Sequence, residues 1–169
     1  MNRLMNCTVA SNFAAAEALD ILRDTVAPLY LPSEIYDEIV AGQLAGYVFY
    51  DGIERHIAPF ATDGWMRLVS MTDSELAMSA DLSSSLHRGE TACLCIARQR
   101  GWAFLSDDRA ARNLAKRWGI PVTGTLGILL IAMRSERLTL DMANALLWRM
   151  IDRANYHSPV SDLRSLLRR

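Results

Sequence analysis

The chain holds few cysteines, few histidines and a single lysine, and these shortages exclude several chemistries before any motif is read. Its three cysteines, Cys7, Cys93 and Cys95, contain no C-x-x-C pair and meet no histidine cluster, so they point to neither a disulfide framework nor a zinc site. They read as plain buried thiols. Cys93 and Cys95 stand two apart on an expected helix, which points them away from each other. His56, His87 and His157 are scattered. Surface or structural roles are expected for them, with His87 alone near enough to the acidic segment below to touch a substrate. No run of ~18 uncharged apolar residues occurs, and Met1 to Thr8 lack the charged-then-apolar order of a signal peptide. A cytoplasmic protein with no membrane association is expected. No glycine-rich loop follows the first apolar run, which weakens a nucleotide-binding or phosphatase-like reading. Repeats and low-complexity segments are also missing.

What is present fits one packed domain spanning residues 1–169, with 51% apolar and 22% charged residues. The net charge of −1 hides an asymmetry. Residues 1–87 hold four Arg against twelve Asp and Glu, residues 88–117 hold seven basic against three acidic, and the remainder seven against four. An acidic front followed by an arginine-rich remainder allows a local phosphate-facing surface without making the whole chain a polyanion binder. Arg109 and Arg112 stand beside the acids and are the expected substrate-binding cations. The four tryptophans, Trp65, Trp102, Trp118 and Trp148, are expected in the core.

Apolar runs and helical patterns alternate along the chain. Leu4 to Ala10 reads as a strand, Asn12 to Asp24 as a helix and Leu29 to Leu31 as a second strand. Pro32-Ser33 reads as a break and N-cap before a helix over Glu34 to Leu44, with Ile35, Ile39 and Val40 inward and Glu38 on it. Residues 45–66 show no clear period and read as irregular or partly helical. Arg67 to Met71 follows as a strand, and Thr72-Asp-Ser-Glu75 fits a capping box opening a helix to about Ser84. Gly89 reads as a break before a helix over Glu90 to Arg100, which Gly101 stops. Trp102 to Leu105 is a strand, Ser106-Asp107-Asp108 caps a helix over Arg109 to Trp118, and Ile120 to Val122 is strand-like. Helices over Leu126 to Arg134 and Leu140 to Ile151 and a short one around Asp162 to Leu167 complete the chain. Such alternation predicts a parallel sheet covered by helices, with ligands beyond the carboxyl ends of the strands.

Five residues bring hard oxygen groups to comparable places: Asn6 after the first strand, Glu38 on a helix, Glu90 at a helix start, and Asp107 with Asp108 at a strand end. Oxygen ligands of this sort suit Mg2+ or Mn2+, and a metal so held can activate water and neutralise charge on a phosphoryl oxygen. Taken singly, Glu38 also reads as a solvated helix residue, and Glu90 and Asp108 as favourable charges at helix N-termini.

Four segments, taken in order, resemble the PIN-domain family, and within it the toxin-type (VapC-like) branch of prokaryotic toxin-antitoxin pairs. They are Asn6-Cys-Thr-Val-Ala-Ser-Asn-Phe13, Leu31-Pro-Ser-Glu-Ile-Tyr-Asp-Glu38, Arg88-Gly-Glu-Thr-Ala with Leu105-Ser-Asp-Asp-Arg-Ala-Ala-Arg112, and Val122-Thr-Gly-Thr-Leu-Gly127. Asn155-Tyr-His-Ser-Pro159 also resembles the segment that closes these domains. The resemblance implies an α/β three-layer sandwich, a central parallel sheet flanked by helices, and an Mg2+- or Mn2+-dependent ribonuclease site. It implies Asn6, Glu38, Glu90 and Asp108 as metal ligands, with Glu38, Glu90, Asp108 and Asp107 as the catalytic set. Thr125 would bond a ligand carboxylate or bound water.

Asn6 stands where the family normally has its first aspartate. An amide oxygen can ligate a hard cation but brings no charge and cannot act as a base. Natural loss in a binding-only member and a substitution made to allow production of a toxic nuclease explain it equally well. The leading expectation is an endoribonuclease toxin, weakened or blocked by Asn6 and restrained by a small antitoxin protein. The alternative is a catalytically silent PIN fold that binds a protein partner within an antitoxin and repressor complex. DNA would be contacted only through the antitoxin, and a homodimer through the apolar helices from Leu126 to Ile151 is expected.

Overall fold

The computed structural model describes residues 1–82 and 86–167. Six strands, β1 Arg3–Met5, β2 Leu29–Pro32, β3 Ile57–Ala58, β4 Met66–Val69, β5 Ala103–Leu105 and β6 Val122–Thr123, lie in the order β3-β4-β2-β1-β5-β6. Every pairing is parallel, with Arg3 opposite both Leu29 and Ala103 and Phe104 opposite Val122. The central strands are apolar on both faces, as a sheet covered on both sides requires. Leu4, Met5, Leu29, Leu31 and Phe104 are fully buried. Each such side chain contributes roughly 1.5–3 kcal/mol of apolar burial.

The helices are α1 Cys7–Ala15, α2 Leu19–Val26, α3 Ser33–Leu44, α4 Asp73–Ala80, α5 Arg88–Arg100, α6 Arg109–Arg117, α7 Thr125–Arg134, α8 Leu140–Ala154 and α9 Arg164–Leu167. In one group α3 and α4 pack on α5, which also lies against β1, β2 and β5; in a second group α1 packs on α8 and α2 on α7. The result is the helix-covered parallel sheet that the alternating pattern predicted, in the three-layer α/β sandwich that the resemblance implied. Among the described residues no helix is long and apolar enough to cross a membrane.

The chain leaves β1 toward β2 and β4, then returns to place β5 on the other side of β1. The strand order therefore reverses between β1 and β5, and in open parallel sheets the crevice beyond such a switch point is where ligands sit. Asn6 leaves one of these two strands, and Ser106, Asp107 and Asp108 leave the other.

Several boundaries differ from the sequence reading, each for a local reason. The first strand stops at Met5, because the Asn6 side chain accepts from the Val9 N–H and opens α1 seven residues into the chain. The single helix expected over Asn12 to Asp24 is two helices. Glu17 takes a left-handed conformation at φ 56°, and the Glu17 and Ala18 N–H groups close α1 on the Ala14 and Phe13 carbonyls. Ser33 is the first residue of α3 and not its cap, which Pro32 occupies. Gly89 lies inside α5. A Cβ there would meet the Glu38 carboxylate at 2.6 Å and the Ile35 side chain, so the glycine serves a close approach between α3 and α5. The capping box at Thr72 and Glu75 is present, but α4 ends at Ala80, and its expected end at Ser84 lies outside the described residues. Residues 45–66 contain two short 3-10 turns and the edge strand β3. Trp148 is 58% exposed, against the expectation of a core position, while Trp65, Trp102 and Trp118 pack partly buried against the core.

Candidate active site

Strand ends bring the first two parts of the site together. The Asn6 N–H donates to the Leu105 carbonyl at 3.0 Å, which ties the end of β1 to the end of β5. The Asn6 amide then bridges the two loops: Nδ2 donates to Ser106 Oγ at 2.9 Å, while Oδ1 accepts from the Val9 N–H at 3.1 Å. Ser106 Oγ also accepts from the Asp108 N–H at 3.1 Å. Asp108 Oδ1 caps α6 by accepting from the Ala111 N–H at 2.7 Å.

Two glutamates come from the neighbouring helices. Glu38 of α3 accepts from the Gly89 N–H at 3.1 Å, and Glu90 accepts from the His87 N–H at 3.2 Å, so both serve the N-terminus of α5. Burial raises the Glu38 carboxyl above its ordinary range, opposed by the Gly89 N–H and by His87. Burial also raises Glu90, with the nearby charges of Asp108 and Glu38 adding to it against the His87 N–H and side chain.

Each of these groups commits one oxygen to a helix N-terminus: Asn6 to α1, Glu38 and Glu90 to α5, and Asp108 to α6. Asp107 does the same for α7. Four helix N-termini therefore point at the switch point, and their partial positive charge offsets the repulsion among the gathered carboxylates. Among the described residues the second oxygens of Glu38, Glu90 and Asp108 have no hydrogen-bond donor.

Asp107 is held differently. Its Oδ1 accepts from the Thr125 N–H at 2.9 Å, and its Oδ2 accepts from the Thr125 hydroxyl at 2.5 Å and from Asn12 Nδ2 at 3.2 Å. The Tyr156 hydroxyl approaches Oδ1 at 3.5 Å, and burial followed by the Asp107 charge pushes that phenol well above its ordinary range. Asn12 and Thr125 are buried, and Asn12 also donates to Thr125 Oγ1 at 3.0 Å. Gly124 permits this packing, since a Cβ there would meet the Arg112 guanidinium at 2.8 Å. Arg112 in turn donates to the Ser106 carbonyl at 2.8 Å.

A cavity of about 550 Å3 opens over these groups, lined by Glu90, Asp107, Asp108, Arg112 and His87. Glu38 lines a second cavity of about 500 Å3. Thr8, Ala154, Asn155 and His157 belong to both. His157 thus reaches the site from the far end of the chain, which corrects the expectation that His87 alone would. Asn6 lies buried beneath the cavities, Thr125 is fully buried, and Arg109 is exposed on α6 outside either lining. Sequence reasoning gave no role to Asn12 or Tyr156 and gave Ser106 only a share in capping α6, whereas its hydroxyl links the Asn6 amide to the Asp108 N–H. Asn12 and Tyr156 lay within quoted segments, and a polar residue set among apolar ones on a helix face was the available signal for Asn12.

A family model described as a PIN domain matches residues 3–169. The chain belongs to the PIN-domain family. No curated protein gives a significant match to it. PIN domains are generally nucleases and typically use divalent metal ions. The donor chemistry of this PIN domain fits such an ion, with hard carboxylate oxygens and no thiolate among the groups lining the acid cavity. Among the described residues no three Asp, Glu, His or Cys side chains stand close enough to hold one ion.

Proposed function

We propose that this PIN domain is an Mg2+- or Mn2+-dependent endoribonuclease of the toxin type, which cuts RNA to a 5'-phosphate and a 3'-hydroxyl. The observation that carries the proposal is the placement of Glu38, Glu90 and Asp108 around the switch point, each with one oxygen fixed on a helix N-terminus and the other open. These three residues would hold the ion. When bound, it would neutralise charge on a phosphoryl oxygen and make water a stronger nucleophile. Asp107 orients the loop that carries Asp108 through Thr125 and Asn12, and Arg112 faces the same cavity to receive a phosphate. Arg109, exposed on α6, adds attraction for the RNA backbone at longer range. A small antitoxin protein covering the acid cavity would restrain the activity, with any DNA contact made by the antitoxin. Homodimer formation through α7 and α8 is supported by the exposure of Ile131, Met142 and Trp148 on those helices.

A second reading, a catalytically silent PIN fold that acts by binding a protein partner, draws support from Asn6. Its amide brings no charge, and both of its polar atoms already have protein partners. One comparison separates the readings: the chain, its Asn6→Asp variant and an Asn6→Asp/Asp108→Ala variant, assayed on structured and unstructured RNA with Mg2+ or Mn2+. Ser106 can rotate its hydroxyl to donate to an aspartate at position 6, so the variant is expected to fold. Cleavage that rises at least about 100-fold in Asn6→Asp, on the scale of a lost catalytic group, and disappears in the double variant supports the nuclease. Folded variants that bind the ion and leave every RNA intact support the silent module.

A further inference from the structure

The cavity that Glu38 enters has a wall that metal chemistry does not call for. Tyr47, Phe49 and Tyr50 all line it. Tyr47 and Phe49 stack at 5.5 Å between ring centroids with planes 13° apart, and Phe49 meets Tyr50 edge-on at 4.7 Å. Tyr47 is 56% exposed, which leaves much of its ring open to a further planar group.

The backbone fixes this wall. Helix α3 ends with the Gly46 N–H on the Gln43 carbonyl and the Tyr47 N–H on the Gly42 carbonyl, both at 3.0 Å, with Gly46 at φ 91°. This paired arrangement needs a left-handed residue, and it sets the direction in which Tyr47 leaves the helix. Gly42 gives the rings their seat, since a Cβ there would stand 2.9 Å from the Tyr50 ring and 3.2 Å from the Tyr47 ring. Thr8, Asn155 and His157 supply polar groups to the same cavity, and these residues also line the acid cavity.

We infer that this aromatic cavity is a nucleobase subsite, which receives one unpaired base of an RNA strand whose adjacent phosphate lies at the acids. The inference rests on the nuclease reading above and narrows its substrate to RNA that is single-stranded at the cut. Contacting aromatic rings with hydrogen-bonding groups in the same cavity suit a planar, polar-edged ring, and stacking of this kind accepts any base. A peptide's apolar anchor would share this cavity with the polar groups of Glu38, Arg153, Asn155 and His157. A base inside a duplex is stacked on both faces and cannot enter.

The test places 2-aminopurine, whose fluorescence falls on stacking, at successive positions of a single-stranded RNA and titrates the full chain, Tyr47→Ala and Tyr47→Trp. Cleavage by Asn6→Asp with and without Tyr47→Ala is measured in parallel. Quenching at one or two positions is expected in the parent and in Tyr47→Trp. Tyr47→Ala is expected to lose it and to bind roughly tenfold more weakly, and duplex RNA is expected to show none. Circular dichroism checks that the exposed substitution leaves the fold intact. If Tyr47→Ala binds, quenches and cleaves like its parent, the subsite is overturned while the nuclease reading stands, as it would be if the cavity served a protein segment. Quenching without cleavage by Asn6→Asp keeps the subsite and removes the nuclease. RNA that binds no version removes both.

Discussion

At Asp107 four donors from three distant parts of the chain converge, whereas neighbouring Asp108 receives one hydrogen bond from its own helix. The two aspartates should therefore fail in different ways. Asp107→Ala leaves the Thr125 N–H and hydroxyl proton without their acceptor in a buried setting, with Asn12 keeping only its bond to Thr125 Oγ1, and is expected to cost about 2–4 kcal/mol, since each unsatisfied buried group costs roughly 1–3 kcal/mol. Asp108→Ala removes a helix cap worth about 1 kcal/mol and, in the Asn6→Asp background, is expected to abolish the proposed cleavage. Urea denaturation of both variants beside the cleavage assay checks the contrast. Equal stability losses would place Asp107 and Asp108 in one role. Their difference was not legible in the dipeptide. Asn12 is 95 positions and Tyr156 49 positions from Asp107, and only the folded chain shows which aspartate they reach.

Among the elements, α5 and α6 were readable because each pairs an apolar face with a chemical start or stop. Asp108 caps α6, and Gly101 ends α5 in a left-handed conformation. Helix α4 shows how capping and tertiary contact combine. Glu75 is buried and accepts from the Thr72 N–H at 2.8 Å, while Arg100 at the end of α5 donates to both of its oxygens at 2.7 Å. The Arg100 hydrogen bonds, with the Thr72 N–H assisting, hold the Glu75 carboxyl below its ordinary range against burial. Glu75→Ala breaks the capping box and the bridge between α4 and α5 together. The Arg100 side chain is 25% exposed, so water screens the pair and the expected loss is about 1–3 kcal/mol. In a domain of this length that lowers Tm by about 2–4 °C per kcal/mol, which calorimetry can read. A Tm unchanged within one degree would remove the bridge from the account of stability. By contrast, β3 and β6 have two residues each and carry too little pattern to be delimited from sequence.

The gathering of Glu38 and Glu90 at one end of the sheet leaves a signature in the stability of the whole molecule. Both have folded pKa values above their unfolded ones, mainly because burial disfavours the charged form. The native state then holds protons that the unfolded state has released, so stability falls as pH rises from the unfolded glutamate pKa, about 4.3, through the raised folded values. Glu38→Gln/Glu90→Gln, which keeps the acceptors of the Gly89 and His87 N–H groups, should raise Tm at pH ~7.5 and leave it nearly unchanged at pH ~3.5. Calorimetry at both values checks this, and an equal gain at both would show that charge burial is not the cause. Glu75 works in the opposite direction: its contribution is present above the unfolded pKa and fades as pH falls.

Alternating apolar runs and capped helices are written in the order of the residues, and with them a parallel sheet with helices on both faces, because periodicity and cap chemistry act over a few residues. The sequence also displayed Asn6, Glu38, Glu90, Asp107 and Asp108 as polar groups at element ends. How these groups are shared out emerges from the folded chain alone. The reversal of strand order between β1 and β5, the close approach at Gly89 and the seat at Gly42 set which oxygens cap helices, which face a cavity and which ring stands beside the acids. Those decisions depend on contacts between residues far apart in the chain, where helix N-termini and buried donors compete for each carboxylate.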